Sequence, residues 1–194
     1  MAAFSFLEIL FVLGTAATVT AVAVPETLAT IDDSRTAAAA RYVSTRLQRA
    51  RMEAVTRSQS AALRFTLRLD HYDFATYVDT NHNGVLSTDI QSGIDRLVQP
   101  VDRLGNHFPG VEFGAIPDLA AVDSSSSAPG SDPIRLGSSD MVTFTPTGTA
   151  TSGSLYIRGR RDAQYVVRVY GETGKTRVLK FVPGSGQWIP ASGL

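Results

Sequence analysis

The chain has 194 residues, which is enough for one domain of ordinary size plus a special segment and short for two full domains. Its hydrophobic fraction of 43% and charged fraction of 19% allow a buried core and argue against a disordered chain. The 18 basic and 18 acidic residues cancel, which removes the usual electrostatic argument for a nucleic-acid partner. The absence of cysteine excludes disulfides, zinc–thiolate sites and cysteine nucleophiles.

The first predicted element is an apolar segment at the N-terminus. Residues 4–31 carry only two charged side chains, Glu8 and Glu26. A membrane-spanning helix needs about 20 mostly apolar residues, and residues 4–24 are apolar around the whole circumference of a helix. A secretory signal cut near residues 21–23 is the alternative, but Glu8 interrupts its apolar region and no basic residue precedes it. We therefore expect a membrane helix.

Glu8 is the unusual residue of this segment. A carboxylate in hydrocarbon costs roughly 2.5–3.5 kcal/mol, so it needs a cationic partner or a proton. No Lys, Arg or His occurs before Arg35. The nearest available cation is an amino terminus, because cleavage after Ala3 would leave the amine of Phe4 about one helical turn from Glu8. That amine could also reach the Glu8 of a neighbouring copy.

The segment Phe4-Ser5-Phe6-Leu7-Glu8, followed by an apolar run, resembles the N-terminus of type IV pilins and type II secretion pseudopilins. Those proteins begin their mature chain with Phe, carry Glu shortly after it, and have a proline late in the helix, where Pro25 stands here. The resemblance implies a leader of residues 1–3, cleavage after Ala3 by a prepilin peptidase, and N-methylation of Phe4. The family usually has Gly at the position of Ala3 and a basic residue in the leader, and this chain has neither.

The helical pattern continues beyond the membrane segment, because no Gly or Pro occurs between Pro25 and Leu69. Apolar residues at helical spacing predict a stripe that docks on the following domain: Val43, Leu47, Ala50 and Ala54. We expect one helix from residue 4 to about residue 58, kinked or loosened at Pro25. Residues 4–31 would form its membrane or filament-core part, and residues 32–59 its soluble part.

Residues 60–194 read as a β-rich head. Alternation and turn signals predict antiparallel strands in a meander, at 62–69, 72–78, 94–101, 141–145, 154–159, 165–170 and 176–182. Residues 102–132 read as loop. The Phe-Thr-Pro-x-Gly turn at 144–148 and Trp188 near the end resemble the minor pseudopilin H subunit and its minor-pilin relatives. The two resemblances imply an α+β, pilin-like fold in which a long N-terminal helix packs on an antiparallel sheet.

One loop carries a pattern typical of ligands for a hard cation. The candidate ligands are the side chains of Asp79, Asn81, Asn83 and Asp89 and the backbone carbonyl of Val85. The EF-hand pattern has a glutamate where Ile90 stands, so two carboxylates predict modest affinity for Ca²⁺. The alternative is an Asx-rich turn with Asn83-Gly84 at a hairpin tip. We expect no required cofactor, with calcium as the one candidate.

No constellation points to an enzyme. The histidines lack metal-site spacing, and the chain has neither a Gly-x-Ser-x-Gly elbow nor a glycine-rich phosphate loop. Arg158, Arg160 and Arg161 form a small basic turn that we interpret as a solvated hairpin, and we expect no nucleic-acid partner.

The sequence therefore favours a structural minor subunit that assembles through its N-terminal helix into a type II secretion pseudopilus or a type IV pilus, near the tip. The expected location is the inner membrane, as a single-pass protein with a periplasmic head, and then the filament. The expected partners are other pilin or pseudopilin subunits, an inner-membrane assembly platform and the prepilin peptidase. The alternative is a membrane-tethered or secreted β-domain that binds a ligand through the calcium-type loop.

Overall fold

The computed structural model describes residues 5–123 and 128–191. The predictions for Ala3 and Phe4 lie outside these residues, as does the serine-rich part of the predicted loop, Ser124 to Ser127.

Helix α1, Phe6–Arg57, contains 52 residues and is therefore about 78 Å long. Ser5 caps its start, since the side-chain oxygen accepts a hydrogen bond from the Leu7 amide. Ser58 caps its end and adopts the left-handed conformation with φ of 53°. The helix is unbroken at Pro25, and the kink that we expect there stays a prediction.

Helix α1 changes its surroundings at Asp32. Every side chain described between residues 6 and 31 is exposed, and Asp32 is the first buried residue. The predicted docking stripe is confirmed, because Val43, Leu47, Ala50 and Ala54 are completely buried against the head. The first half of α1 thus projects from the domain, and the second half forms part of its core.

The head contains two antiparallel sheets. Their strands are β1 (Ala61–Leu67), β2 (Tyr72–Val78), β3 (Arg96–Arg103), β4 (Glu112–Phe113), β5 (Ile134–Arg135), β6 (Met141–Phe144), β7 (Gly153–Arg158), β8 (Gln164–Val169), β9 (Thr176–Val182) and β10 (Gln187–Pro190). The first sheet has the order β3-β2-β1-β6, and the second has the order β10-β9-β8-β7-β4, with β5 also paired to β7. Two short helices, α2 (Ser87–Ser92) and α3 (Leu104–His107), flank β3.

All seven predicted strands are confirmed within two residues of their expected bounds. The prediction that the strands form a single meander is wrong. Strand β6 pairs with β1, for example at Leu63 and Val142, and therefore belongs to the first sheet. Strands β7 to β10 form one meander, and β1 to β3 form another. The stretch expected as loop, residues 102–132, also contains the end of β3 together with α3 and β4.

The main core lies where the stripe of α1 meets the inner faces of both sheets. Phe65 of β1, Phe74 of β2 and Phe113 of β4 form its aromatic centre, with the rings of Phe65 and Phe113 5.3 Å apart. Both sheets are therefore packed on one helix.

Candidate functional site

The projecting half of α1 presents an apolar surface that water would solvate poorly. Phe6, Leu7 and Phe11 are 77%, 76% and 73% exposed, and this part of the helix is long and apolar enough to cross a membrane. Glu8 lies among these side chains, and its carboxylate has no hydrogen bond or ion pair within the described residues. The surface therefore needs a lipid or protein environment, and Glu8 needs a partner from elsewhere.

At Asp32, the turn between β7 and β8 holds the helix. The two carboxylate oxygens of Asp32 accept hydrogen bonds from the backbone amides of Arg160 and Arg161, at 3.0 and 2.8 Å. The prediction of a solvated hairpin is confirmed, because the turn joins the antiparallel strands β7 and β8 and the side chains of Arg160 and Arg161 are exposed. Its backbone has a further role, since it fixes the point where α1 enters the head. The side chain of Arg158 instead forms an ion pair with Asp162.

The next residue, Asp33, is bound from the second sheet. Lys180 Nζ lies 2.8 Å from the Asp33 carboxylate, and the Tyr165 hydroxyl donates a hydrogen bond to it at 3.0 Å. Burial raises the pKa of Tyr165 well above its usual value, and the neighbouring Asp33 carboxylate raises it further. The phenol therefore stays a donor throughout the physiological range.

A second polar cluster lies where α1 meets β3. Asp102 accepts hydrogen bonds from the hydroxyl of Tyr42 and from Arg46, and it lies 2.9 Å from His107 Nε2. Burial alone would raise the pKa of Asp102, but the hydrogen bonds from Tyr42, the Arg103 amide and His107 outweigh it and hold that pKa below its usual value. The Arg46 guanidinium also lies over the Phe74 ring.

The loop that the sequence singled out begins at the end of β2. Asp79 is 3% exposed, and its carboxylate accepts hydrogen bonds from the backbone amides of Asn81, His82 and Gly84. Asp89 is half-buried, and the side-chain amides of the exposed residues Asn81 and Asn83 both donate to its Oδ2 at 2.9 Å. These hydrogen bonds lower the pKa of Asp89, with Asn83 contributing most.

One predicted feature of this loop differs from the structure, and the calcium ligands stay a prediction. The hairpin tip at Asn83-Gly84 is wrong, because the chain continues from there into α2 before β3 begins. The Val85 side chain is buried against Ala62 and Met141. Among the residues that the structure describes, no group of three or more His, Cys, Asp or Glu side chains lies close enough to hold a metal ion.

Three residues that matter here were not singled out by sequence analysis. Asp32 and Asp33 read only as a polar stretch, and nothing local indicated that distant strands bind them. Asp95 lies outside the loop motif, yet it is 3% exposed and its Oδ2 accepts a hydrogen bond from the Leu86 amide. Only the register of β2 with β3 brings Asp95 back to the loop, and the sequence alone does not give that register.

Comparison with known proteins identifies the family. Residues 39–174 match the family model of the type II transport protein GspH, which covers the buried half of α1 and most of the head. Searches among curated proteins and among solved structures gave no match. Since the family match extends over more than half of the chain, the protein belongs to the GspH family, the pseudopilins of type II secretion.

Proposed function

We propose that the protein is a minor, non-enzymatic subunit of a type II secretion pseudopilus, anchored in the inner membrane by α1 with its head in the periplasm. The observation that carries this proposal is the division of α1 at Asp32, with an exposed apolar half before it and a buried half after it. The family match supports the pseudopilin role of the head.

The length of the projecting half of α1 suits both the membrane and the core of a filament. Residues 6–31 form about 39 Å of helix, and the hydrocarbon core of a bilayer is about 30 Å thick. When the subunit leaves the membrane, contacts with lipid are replaced by contacts with the helices of other subunits. This exchange is close to balanced in free energy, because lipid tails are as apolar as the side chains that replace them. An assembly platform can therefore drive it with modest work.

Glu8 sets the register of assembly in this proposal. Removal of the leader after Ala3 by the prepilin peptidase and N-methylation would leave a cationic amine at Phe4. That amine on one subunit would pair with Glu8 of the next, which supplies the partner that Glu8 lacks among the described residues. The resemblance to the H subunit favours a position near the tip, where few copies are needed.

The test compares Glu8→Ala with Glu26→Ala, which removes the other acid of the projecting half. Each full-length variant is expressed with the other subunits of the system. Resistance to carbonate extraction reports membrane insertion, and copurification with sheared filaments reports assembly. We expect both variants to insert, and Glu8→Ala to fall by at least about tenfold in filaments because its ion pair in an apolar medium is lost. Normal assembly of Glu8→Ala would refute the role of Glu8, and extraction of the wild-type chain by carbonate would refute the anchor.

A further inference from the structure

Two buried aspartates lie where β2 and β3 open into the loop, Asp79 just after β2 and Asp95 just before β3. The antiparallel register pairs Val78 with Arg96, and the Thr80 hydroxyl donates to the Ile94 carbonyl at 2.5 Å. Continuing this register by one residue beyond the paired strands places the backbones of Asp79 and Asp95 opposite one another. Each is 3% exposed. Directly opposed residues of an antiparallel pair have β-carbons about 4.5–5.5 Å apart on the same face.

Nothing in the described protein neutralises this pair. Neither Asp79 nor Asp95 forms an ion pair with any described Lys, Arg or His. Asp95 Oδ1 is fully buried and has no hydrogen-bond partner, although its sister oxygen is bound by the Leu86 amide. A buried carboxylate oxygen without a partner is costly, and like charges directly opposite each other destabilise a sheet. The arrangement lacks a positive charge.

We propose that a divalent hard cation, Ca²⁺, binds between Asp79 and Asp95. A carboxylate offers about four acceptor positions, of which three are used on Asp79 and one on Asp95. The free positions include Asp95 Oδ1, and water can complete the oxygen shell. Ca²⁺ fits better than Mg²⁺ because it accepts an irregular set of six to eight oxygen ligands, whereas Mg²⁺ demands near-octahedral geometry.

This site differs from the one that the loop motif predicts. The peptide between Val85 and Leu86 is trans, so its carbonyl and amide point in opposite directions. Because the Leu86 amide points to Asp95, the Val85 carbonyl points away from that carboxylate. Asp89 is half-buried, and its Oδ2 already accepts hydrogen bonds from two side-chain amides. The two charged ligands of the bound ion are therefore Asp79 and Asp95, and Asp89 closes the loop outside them.

The ion would stabilise the attachment of the connection between β2 and β3, residues 79–95, to the first sheet. The loop is already closed by hydrogen bonds from the Ile94 and Asp95 amides to the Asp89 carbonyl. A cation between Asp79 and Asp95 joins the first residue of this connection to its last. Its effect is on the stability of the head, and it does not depend on the proposed assembly.

The experiment uses the full chain in a non-ionic detergent. Equilibrium dialysis against ⁴⁵Ca²⁺ measures affinity, and thermal unfolding is compared in EDTA, Ca²⁺ and Mg²⁺. We expect about one ion per chain with a Kd of about 10⁻⁴–10⁻³ M, typical of extracellular calcium modules. Ten millimolar Ca²⁺ should raise Tm by roughly 3–10 °C, and Mg²⁺ should raise it less.

Asp95→Asn is the decisive variant, because asparagine can still accept the Leu86 hydrogen bond while the charge is lost. We expect its Kd for Ca²⁺ to rise at least about tenfold. In EDTA its Tm should be higher than that of the wild type, since the repulsion between two carboxylates is relieved, and in Ca²⁺ the order should reverse. Asp118→Asn, which changes an exposed aspartate outside the loop, is the matched control and should behave as wild type.

Three results would overturn the proposal. The first is a wild-type chain that neither binds Ca²⁺ nor gains Tm in its presence. The second is an Asp95→Asn variant with unchanged affinity, above all if Asp89→Asn loses binding, because the ion would then lie in the exposed loop. The third is an equal loss in Asp118→Asn, which would indicate non-specific binding. None of these results bears on insertion or filament assembly.

Discussion

Gly159 lies so close to helix α1 that a β-carbon at this position would be 2.4 Å from the Thr36 hydroxyl oxygen and 2.6 Å from Asp32 Oδ2. The contact places the turn between β7 and β8 directly on the helix. It is also what allows the amides of Arg160 and Arg161 to reach the Asp32 carboxylate. A residue without a side chain is thus required where the projecting half of α1 meets the head.

We predict that Gly159→Ala destabilises the head by about 1–3 kcal/mol, because the new methyl group must displace Thr36 or Asp32. Urea unfolding of the full chain in detergent, followed by the fluorescence of the single tryptophan, Trp188, measures the change. Gly184→Ala is the control, since a β-carbon there meets nothing within 4 Å. Equal losses in the two variants would show that the close approach to α1 is not the cause.

The buried stripe of α1 gives a second prediction. Leu47 is completely buried between the sheets and the helix, so Leu47→Ala should cost about 2–5 kcal/mol through lost burial and the cavity left behind. Met52, on the same helix, is 57% exposed, and Met52→Ala should change stability by no more than about 0.5 kcal/mol. The same urea measurement applies. A small effect at Leu47 would mean that the head does not depend on its packing against α1.

The cluster around Asp102 predicts a dependence of stability on pH. The pKa of Asp102 is lower in the folded protein than its usual value, so its ionised form stabilises the fold. This contribution is complete above the unfolded pKa of about 4 and is lost as the pH falls through the folded pKa. Between about pH 5 and pH 3, Tm should therefore fall less steeply in Asp102→Asn than in the wild type.

The comparison concerns the slope with pH, because Asp102→Asn also weakens the contacts of Tyr42 and Arg46 and lowers Tm at every pH. Asp118→Asn, which alters an exposed aspartate, should keep the slope of the wild type. An unchanged slope in Asp102→Asn would assign the acid sensitivity to other carboxylates.

The sequence predicted the elements whose signals are local. The stripe from Val43 to Ala54 repeats at helical spacing, so it predicted both the helix and its buried face. Strands β4 and β5 have two residues each, which is too short for alternation to be recognised. The pairing of β6 with β1 joins segments about eighty residues apart, and no pattern within either segment indicates its partner.

The same limit applies to the candidate cation site. The alternating oxygen side chains from Asp79 onward are visible as a local motif, and they indicated the loop to which we assign the proposed ion. Asp95 is sixteen positions further along, beyond α2, and only the register of β2 with β3 brings it opposite Asp79. The motif therefore identified Asp79, whereas Asp95 could be identified only from the pairing of β2 with β3.

The last prediction concerns the position of α1 in the membrane, and it uses the absence of cysteine from the chain. Single variants Leu13→Cys and Thr45→Cys each carry one thiol. Both positions are exposed in the isolated protein, Leu13 at 61%, so the head shields neither of them. In membranes, a charged maleimide should label Cys at position 45 and fail to label it at position 13, because the reactive thiolate does not form in hydrocarbon. After the membranes are dissolved in a denaturing detergent, both should react, and labelling of position 13 in intact membranes would place the projecting half of α1 outside the bilayer.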